Sequence, residues 1–309
     1  MKDKDNDDNL DQRLAALKKK DPDLKIYLAI GGWFDGLDLD WEYPVDKDRG
    51  GHSGDYDNFP KFMEKLKKTL DRGDKGLTIT LPASYWYLRY FDIKRLEKTV
   101  DFFNIMSYDL HGAWDQKANW TEPYLNAHTN LTEIDLALDL LWRNDIDPDN
   151  VVMGMGFYGR AFTVERLSCS EPGCLFKDAG RPGECSAEAG ILLNSEIDDI
   201  TKQRGLKPKL YKEEAVKALK WGNQWVSYDD EETLKMKTEF AQSCCLGGAM
   251  VWAISHDTKD AKYNKALAKV LGRKVTSGSL DDDEEAEEYK KVLYPQCRWT
   301  NCKETCPKG

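Results

Sequence analysis

Apolar and polar positions along this chain switch repeatedly between two periods. From 10 to 20 (LDQRLAALKKK) apolar residues recur at helical spacing until Asp21-Pro22 stops them. Residues 25–30 (KIYLAI) are a short apolar run closed by Gly31-Gly32, which reads as a buried strand. Residues 36–43 (GLDLDWEY) then alternate, apolar against acidic. A helical pattern follows at 57–71, with Phe59, Phe62, Met63, Leu66 and Leu70 as its apolar positions. After it come a strand (77–81), a helix (92–99), a strand (102–107), a helix (131–143) and a strand (150–156). Strands that alternate with helices predict an α/β fold with parallel strands and helical crossovers.

The pattern breaks near residue 163. Residues 164–226 are rich in Gly, Pro and Cys and predict an inserted α+β subdomain. The alternation resumes with a helix (230–243), a strand (248–254) and a helix (258–272). The acidic run from Asp281 to Glu288 is a solvated linker, and a cysteine-bearing tail follows it. The expected boundaries are therefore 1–163, 164–226, 227–274 and 275–309.

Composition narrows the partners. With 32% charged and 40% hydrophobic residues, the chain reads as soluble and globular, and we expect a monomer. No stretch approaches the roughly 20 apolar residues of a membrane helix, so no membrane is expected. A net charge of −10 argues against nucleic acid, which needs a basic surface. The eight cysteines (169, 174, 185, 244, 245, 297, 302 and 306) cluster in ways that suit an oxidising compartment. No CxxC pair exists and His52, His111, His128 and His256 lie far apart, so neither a metal nor a cofactor is expected. The sequons at Asn119 and Asn130 also fit secretion, whereas the opening MKDKDNDDNL carries no apolar leader.

The candidate chemistry sits in the alternating stretch. Side chains of a strand alternate faces, so Asp38, Asp40 and Glu42 share one face and Leu37, Leu39 and Trp41 the other. Like charges at that spacing raise at least one pKa, and a proton is then shared. A general acid working near neutral pH needs such a raised pKa. A bare D-x-D-x-E could equally be a solvated edge strand. Apolar neighbours and the Trp41-Glu42-Tyr43-Pro44 continuation favour chemistry.

The stretch from Phe34 to Pro44 (FDGLDLDWEYP) resembles the catalytic signature of glycoside hydrolase family 18, the chitinases. Leu28-Ala-Ile-Gly-Gly-Trp33 is similar to that family's third barrel strand and Met106-Ser-Tyr-Asp109 to its sixth. Met155-Gly-Phe-Tyr-Gly-Arg160 is similar to the seventh and Gly248-Ala-Met-Val-Trp252 to the eighth. The likeness spans roughly 10–272, and the insert with Ser168-Cys-Ser-Glu-Pro-Gly-Cys174 resembles fungal chitinases of the killer-toxin-like subgroup. The resemblance implies a (β/α)8 TIM barrel with its site at the carboxyl ends of the strands. It implies hydrolysis of chitin or chito-oligosaccharide by a substrate-assisted retaining route, an exception to the two-carboxylate scheme. On that resemblance Glu42 is the acid, Asp40 orients the substrate acetamide, Asp38 shares a proton with Asp40, and Tyr108 hydrogen-bonds the acetamide. Asp109 contacts the sugar, Trp252 is its aromatic floor, and Trp33 and Trp114 flank it. Tyr43, Met106, Tyr158 and Arg160 match further lining positions. Read without the resemblance, Trp252 and Met106 could be plain core. The rivals are a non-hydrolytic chitinase-like binder, against which the intact Glu42 argues, and a non-functional truncated fragment.

One spacing departs from the family. Trp33 runs directly into Phe34, with no room for the dozen or more residues that a parallel crossover needs. The third-strand match and the catalytic strand are therefore not expected to take neighbouring places. The fold expected is a barrel incomplete on its N-terminal side, from a truncated or mis-spliced form of a longer secreted chitinase.

Overall fold

The computed structural model describes residues 35–118 and 121–273 in full and 27–28 by their backbone. The helix expected at 10–20, Trp33, Asn119, the acidic run and the tail cysteines lie outside the described residues. The chain divides into two compact units, 1–110 with 132–155 and 241–250, and 111–131 with 156–240 and 251–309.

The first unit is built on a six-stranded sheet. Its strands are β1 (Tyr27–Leu28), β2 (Gly36–Leu39), β3 (Gly76–Pro82), β4 (Phe103–Met106), β5 (Val151–Gly156) and β12 (Gly248–Trp252), in the order β1-β2-β3-β4-β5-β12. The pairs from β1 to β5 are parallel. Helices α1 (Asp55–Leu70), α2 (Tyr85–Leu88), α3 (Ile93–Glu97) and α4 (Leu131–Trp142) fall between successive strands. This is the (β/α)8 barrel plan left open, with six strands in line among the described residues. β3 shows why a central strand forms here: Leu77, Ile79 and Leu81 are fully buried on one side and Thr78 and Thr80 on the other. α4 buries Ile134, Leu138 and Leu141, a stripe at helical spacing.

Two expectations need correction. Phe62 belongs to the apolar stripe of α1, yet it is 51% exposed, while Phe59 and Met63 are buried. Phe62 lines a shallow groove with Leu39, Trp41 and Phe59, in which Trp41 and Phe59 meet edge to face at 5.2 Å. The short link was expected to bar the apolar run at 25–30 from a place beside the catalytic strand. Tyr27 and Leu28 nonetheless pair in parallel with Gly36 and Leu37. Among the described residues two pairs are seen, Tyr27 with Gly36 and Leu28 with Leu37, so this contact is far shorter than the roughly 15–20 Å of a strand of typical length.

The second unit is an antiparallel sheet of β6 (Tyr158–Val164), β7 (Phe176–Ala179), β8 (Ile191–Leu193), β9 (Lys209–Tyr211), β10 (Val216–Trp221) and β11 (Gln224–Tyr228). Its order is β7-β6-β11-β10-β9, with β8 also on β6. Helix α5 (Asn194–Arg204) follows β8, α6 (Glu231–Ser243) precedes β12, and α7 (Lys262–Val270) comes last among the described residues. One face packs Leu125, Phe162, Phe176 and Trp225; the other packs Ala161, Leu192, Ile197 and Val226. A disulfide joins Cys169 to Cys174. Lys237 of α6 is buried against Asp229, its Nζ 2.5 and 2.6 Å from the two carboxylate oxygens.

Candidate active site

The strand β2 and the residues after it carry the acidic face of the first unit. Asp38 is anchored from the neighbouring strands. Its Oδ1 accepts from Thr78 Oγ1 at 2.6 Å and Asn104 Nδ2 at 3.1 Å, and its Oδ2 accepts from Thr80 Oγ1 at 3.2 Å. Those donors sit on β3 and β4 because strand side chains at alternate positions face the same way. Asp40 keeps contact with solvent, yet its pKa is raised from 3.8 to about 6. Partial withdrawal of its carboxyl from water is the largest cause, ahead of the charges of Glu42 and Asp38. Sequence reasoning credited the like charges; desolvation leads instead.

Glu42 lies at the solvent edge and touches two groups. The Tyr43 phenol shares a hydrogen bond with it, and burial, followed by the Glu42 charge, holds that phenol well above its ordinary pKa. Arg49 brings its guanidinium to 3.5 Å from Glu42 and stacks over the rings of Tyr43 and Tyr87 at 5.1 and 5.7 Å. Tyr43 itself stacks on Tyr87 at 4.2 Å. Tyr108 is buried at the end of β4, its pKa pushed up by burial first and then by Asp109, Asp40, Glu42 and Asp38. Gly154 makes room for it: a Cβ there would stand 2.4 Å from the Ile105 carbonyl oxygen and 2.8 Å from the Tyr108 ring. Met106 is partly buried rather than core, and Asp109 adopts a left-handed backbone with φ of 58°. Asp38, Asp40, Glu42, Tyr43, Met106, Tyr108 and Asp109 thus belong to one compact unit.

The second unit holds the other predicted residues. Arg160 stacks over Trp114 at 4.7 Å and Tyr158 at 5.7 Å. The Trp114 indole lies close against Gly112, where a Cβ would fall 2.3 Å from the ring, and leaves its other face exposed. Tyr158 is buried between two imidazoles, with His128 at 4.9 Å and His256 edge-on at 5.9 Å. Trp252 is 55% exposed, which excludes the plain-core alternative for it. Among the described residues no cluster of His, Cys, Asp or Glu could hold a metal ion. Arg49, Thr78, Thr80, Asn104 and Tyr87 went unnoticed in the sequence. The alternation of LTITL could have placed Thr78 and Thr80 on the acidic face; nothing comparable marks Arg49 or Tyr87.

A sequence model described as glycosyl hydrolases family 18 matches residues 34–257. The chain belongs to that family. It is 34% identical over 251 residues to a protein named secreted chitinase LysM12 of Penicillium expansum, covering 75% of this chain and 16% of that protein. Over 172 residues it is 37% identical to the killer toxin subunits alpha/beta of Kluyveromyces lactis, covering 54% of this chain and 15% of that protein. The killer-toxin-like kinship read from the insert agrees with this match. The chain therefore spans well under two thirds of these curated relatives. Among solved family 18 structures, the Group IV chitinase of Ostrinia furnacalis in complex with allosamidin superposes with a TM-score of 0.76 at 26% identity. That match covers 86% of this chain and 83% of the other.

Proposed function

We propose that the chain hydrolyses β-1,4 linkages between N-acetylglucosamine units of chitin by a substrate-assisted retaining mechanism. The observation that carries this reading is the acidic face of β2, with Asp38 pinned by donors on two neighbouring strands and Asp40 poised to hold a proton near pH 6. Glu42 gives its proton to the glycosidic oxygen as the bond from that oxygen to the anomeric carbon breaks. The substrate's own acetamide oxygen forms the new bond to that carbon. Asp40 aligns the acetamide and offsets its growing positive charge, and the Tyr108 hydroxyl donates to its oxygen. Water then attacks the same carbon and gives a proton to Glu42 as the bond from that carbon to the acetamide oxygen breaks, which restores the acetamide and releases a sugar of retained configuration. Trp252 and Trp114 supply stacking faces, with Asp109, Tyr43, Met106, Tyr158 and Arg160 as further lining; Trp33 lies outside the described residues.

The names of relatives support the substrate class: LysM12 is called a chitinase and the Ostrinia structure is a chitinase. An extracellular location is part of the same reading, supported by the Cys169–Cys174 disulfide and by the word secreted in the LysM12 name. Residues 164–226 are read as the family insert within the catalytic barrel. The test is hydrolysis of chitotetraose followed by proton NMR of the first-formed anomer. Retained configuration is expected; an inverted first product, or binding without turnover, would overturn the mechanism.

A further inference from the structure

The turn after β12 contains an imidazole that the proposed chemistry does not use. Residues Ile254–His256 form a single 3-10 turn. Within it the His256 N–H donates to the Ala253 carbonyl at 2.9 Å, and the Ala253 N–H donates back to Nδ1 of the His256 ring at 3.3 Å. On the other side, the Phe157 N–H donates to the Trp252 carbonyl at 2.9 Å. The backbone flanking the Trp252 indole is therefore clamped by Phe157, between β5 and β6, and by the imidazole. The ring in turn stands edge-on to Tyr158, whose carbonyl accepts from His128 Nε2 at 3.0 Å.

We propose that His256 is a positioning residue for the sugar floor: its neutral Nδ1 fixes the Ala253 amide and thereby the direction of the exposed Trp252 indole. The assignment rests on the functional reading given above for Trp252. It requires the tautomer with the proton on Nε2, because an Nδ1–H cannot accept. Burial of the ring holds its pKa below 6.5, against an opposing pull from Glu196, so the neutral form prevails at neutral pH. A backbone hydrogen bond alone would leave the turn intact without the imidazole. The ring bond is what ties the peptide next to the indole to the layer formed by Tyr158 and His128.

Two substitutions separate positioning from bulk packing. In His256→Asn the amide oxygen takes the place of Nδ1, whereas His256→Leu fills the volume without an acceptor. Titrated with chitotetraose, His256→Leu should bind about tenfold more weakly, the worth of one hydrogen bond, and His256→Asn within about threefold of the parent. Without sugar, the emission of Trp252, isolated by subtracting a Trp252→Phe variant, should shift in His256→Leu and recover in His256→Asn. Nitrogen-detected NMR of the imidazole should report Nε2–H. Equal binding by the Leu and Asn variants, an unaltered Trp252 emission in His256→Leu, or a proton on Nδ1 would each overturn the assignment. If the parent binds no chito-oligosaccharide, the functional reading fails. The emission and the tautomer then still decide whether His256 orients Trp252.

Discussion

The two units bury their sheets differently. In the second, both faces of β6 and β11 are covered by apolar clusters, and even the ion pair Lys237–Asp229 is sealed within it. In the first, β2 presents carboxylates on one face and an incompletely covered groove of Leu39, Trp41 and Phe62 on the other. The strand to which the chemistry is assigned in the proposed function is thus the less supported one. An acidic face must keep access to substrate and solvent, and here the opposite face also lacks part of its packing. Order for β2 comes from its neighbours, through Thr78, Thr80 and Asn104, more than from its own burial.

The sharpest way to break this comparison is at Glu42. Glu42→Gln keeps the shape and removes the transferable proton. Turnover of chito-oligosaccharide should fall by about 10² to 10⁴ with binding retained. A fall of less than about threefold would remove Glu42 from its role.

The next largest effect concerns the open flank. Replacing the link at 29–35 with a helical crossover of about a dozen residues more should cover Leu39, Trp41 and Phe62. Turnover should rise about a hundredfold, because a misplacement of about 1 Å can cost that much. The native 309-residue chain, by contrast, should melt broadly by near-UV circular dichroism and turn over slowly. Equal turnover of the two forms, with equally sharp melts, would show that the flank does not limit the site.

Lys237→Met probes the sealed unit. It leaves Asp229 buried without its cation and should destabilise that unit by about 3–5 kcal/mol. Hydrogen exchange should then speed up in β10 and β11 and leave β3 unchanged. Equal acceleration in both units would show that they unfold as one.

The smallest effect is at Asp40. Its pKa rises on folding, so the folded state binds more protons than the unfolded one between pH 3.8 and about 6, and stability falls as pH rises through that window. Asp40→Asn should therefore stabilise the first unit above pH 6, by about 1 kcal/mol at most once solvent screening is counted. Denaturant titrations at pH 4 and pH 7 test the sign: no gain at pH 7 would count against a raised pKa.

Much of this molecule was written in local pattern. The alternation of GLDLDWEY fixed which carboxylates share a face, and helical spacing placed α4 and the buried part of α1, because both depend only on residues close along the chain. The same logic gave the α/β order and the family likeness. What it could not give depended on which elements meet. Phe62 looks like core in its helix, and only the uncovered flank of β2 leaves it exposed. Trp252 sits in an apolar run that suits a core strand, yet its indole faces solvent. The chain itself determined the acidic face and the elements that carry it. Tertiary structure decided the anchoring of Asp38 by Thr78, Thr80 and Asn104, the leading part of desolvation at Asp40, and the grip of His256 on the peptide beside Trp252. The anchoring of Asp38 joins residues 40 to 66 positions apart, and the His256 bond, though only three residues long, depends on a turn geometry that hydrophobic periodicity does not encode.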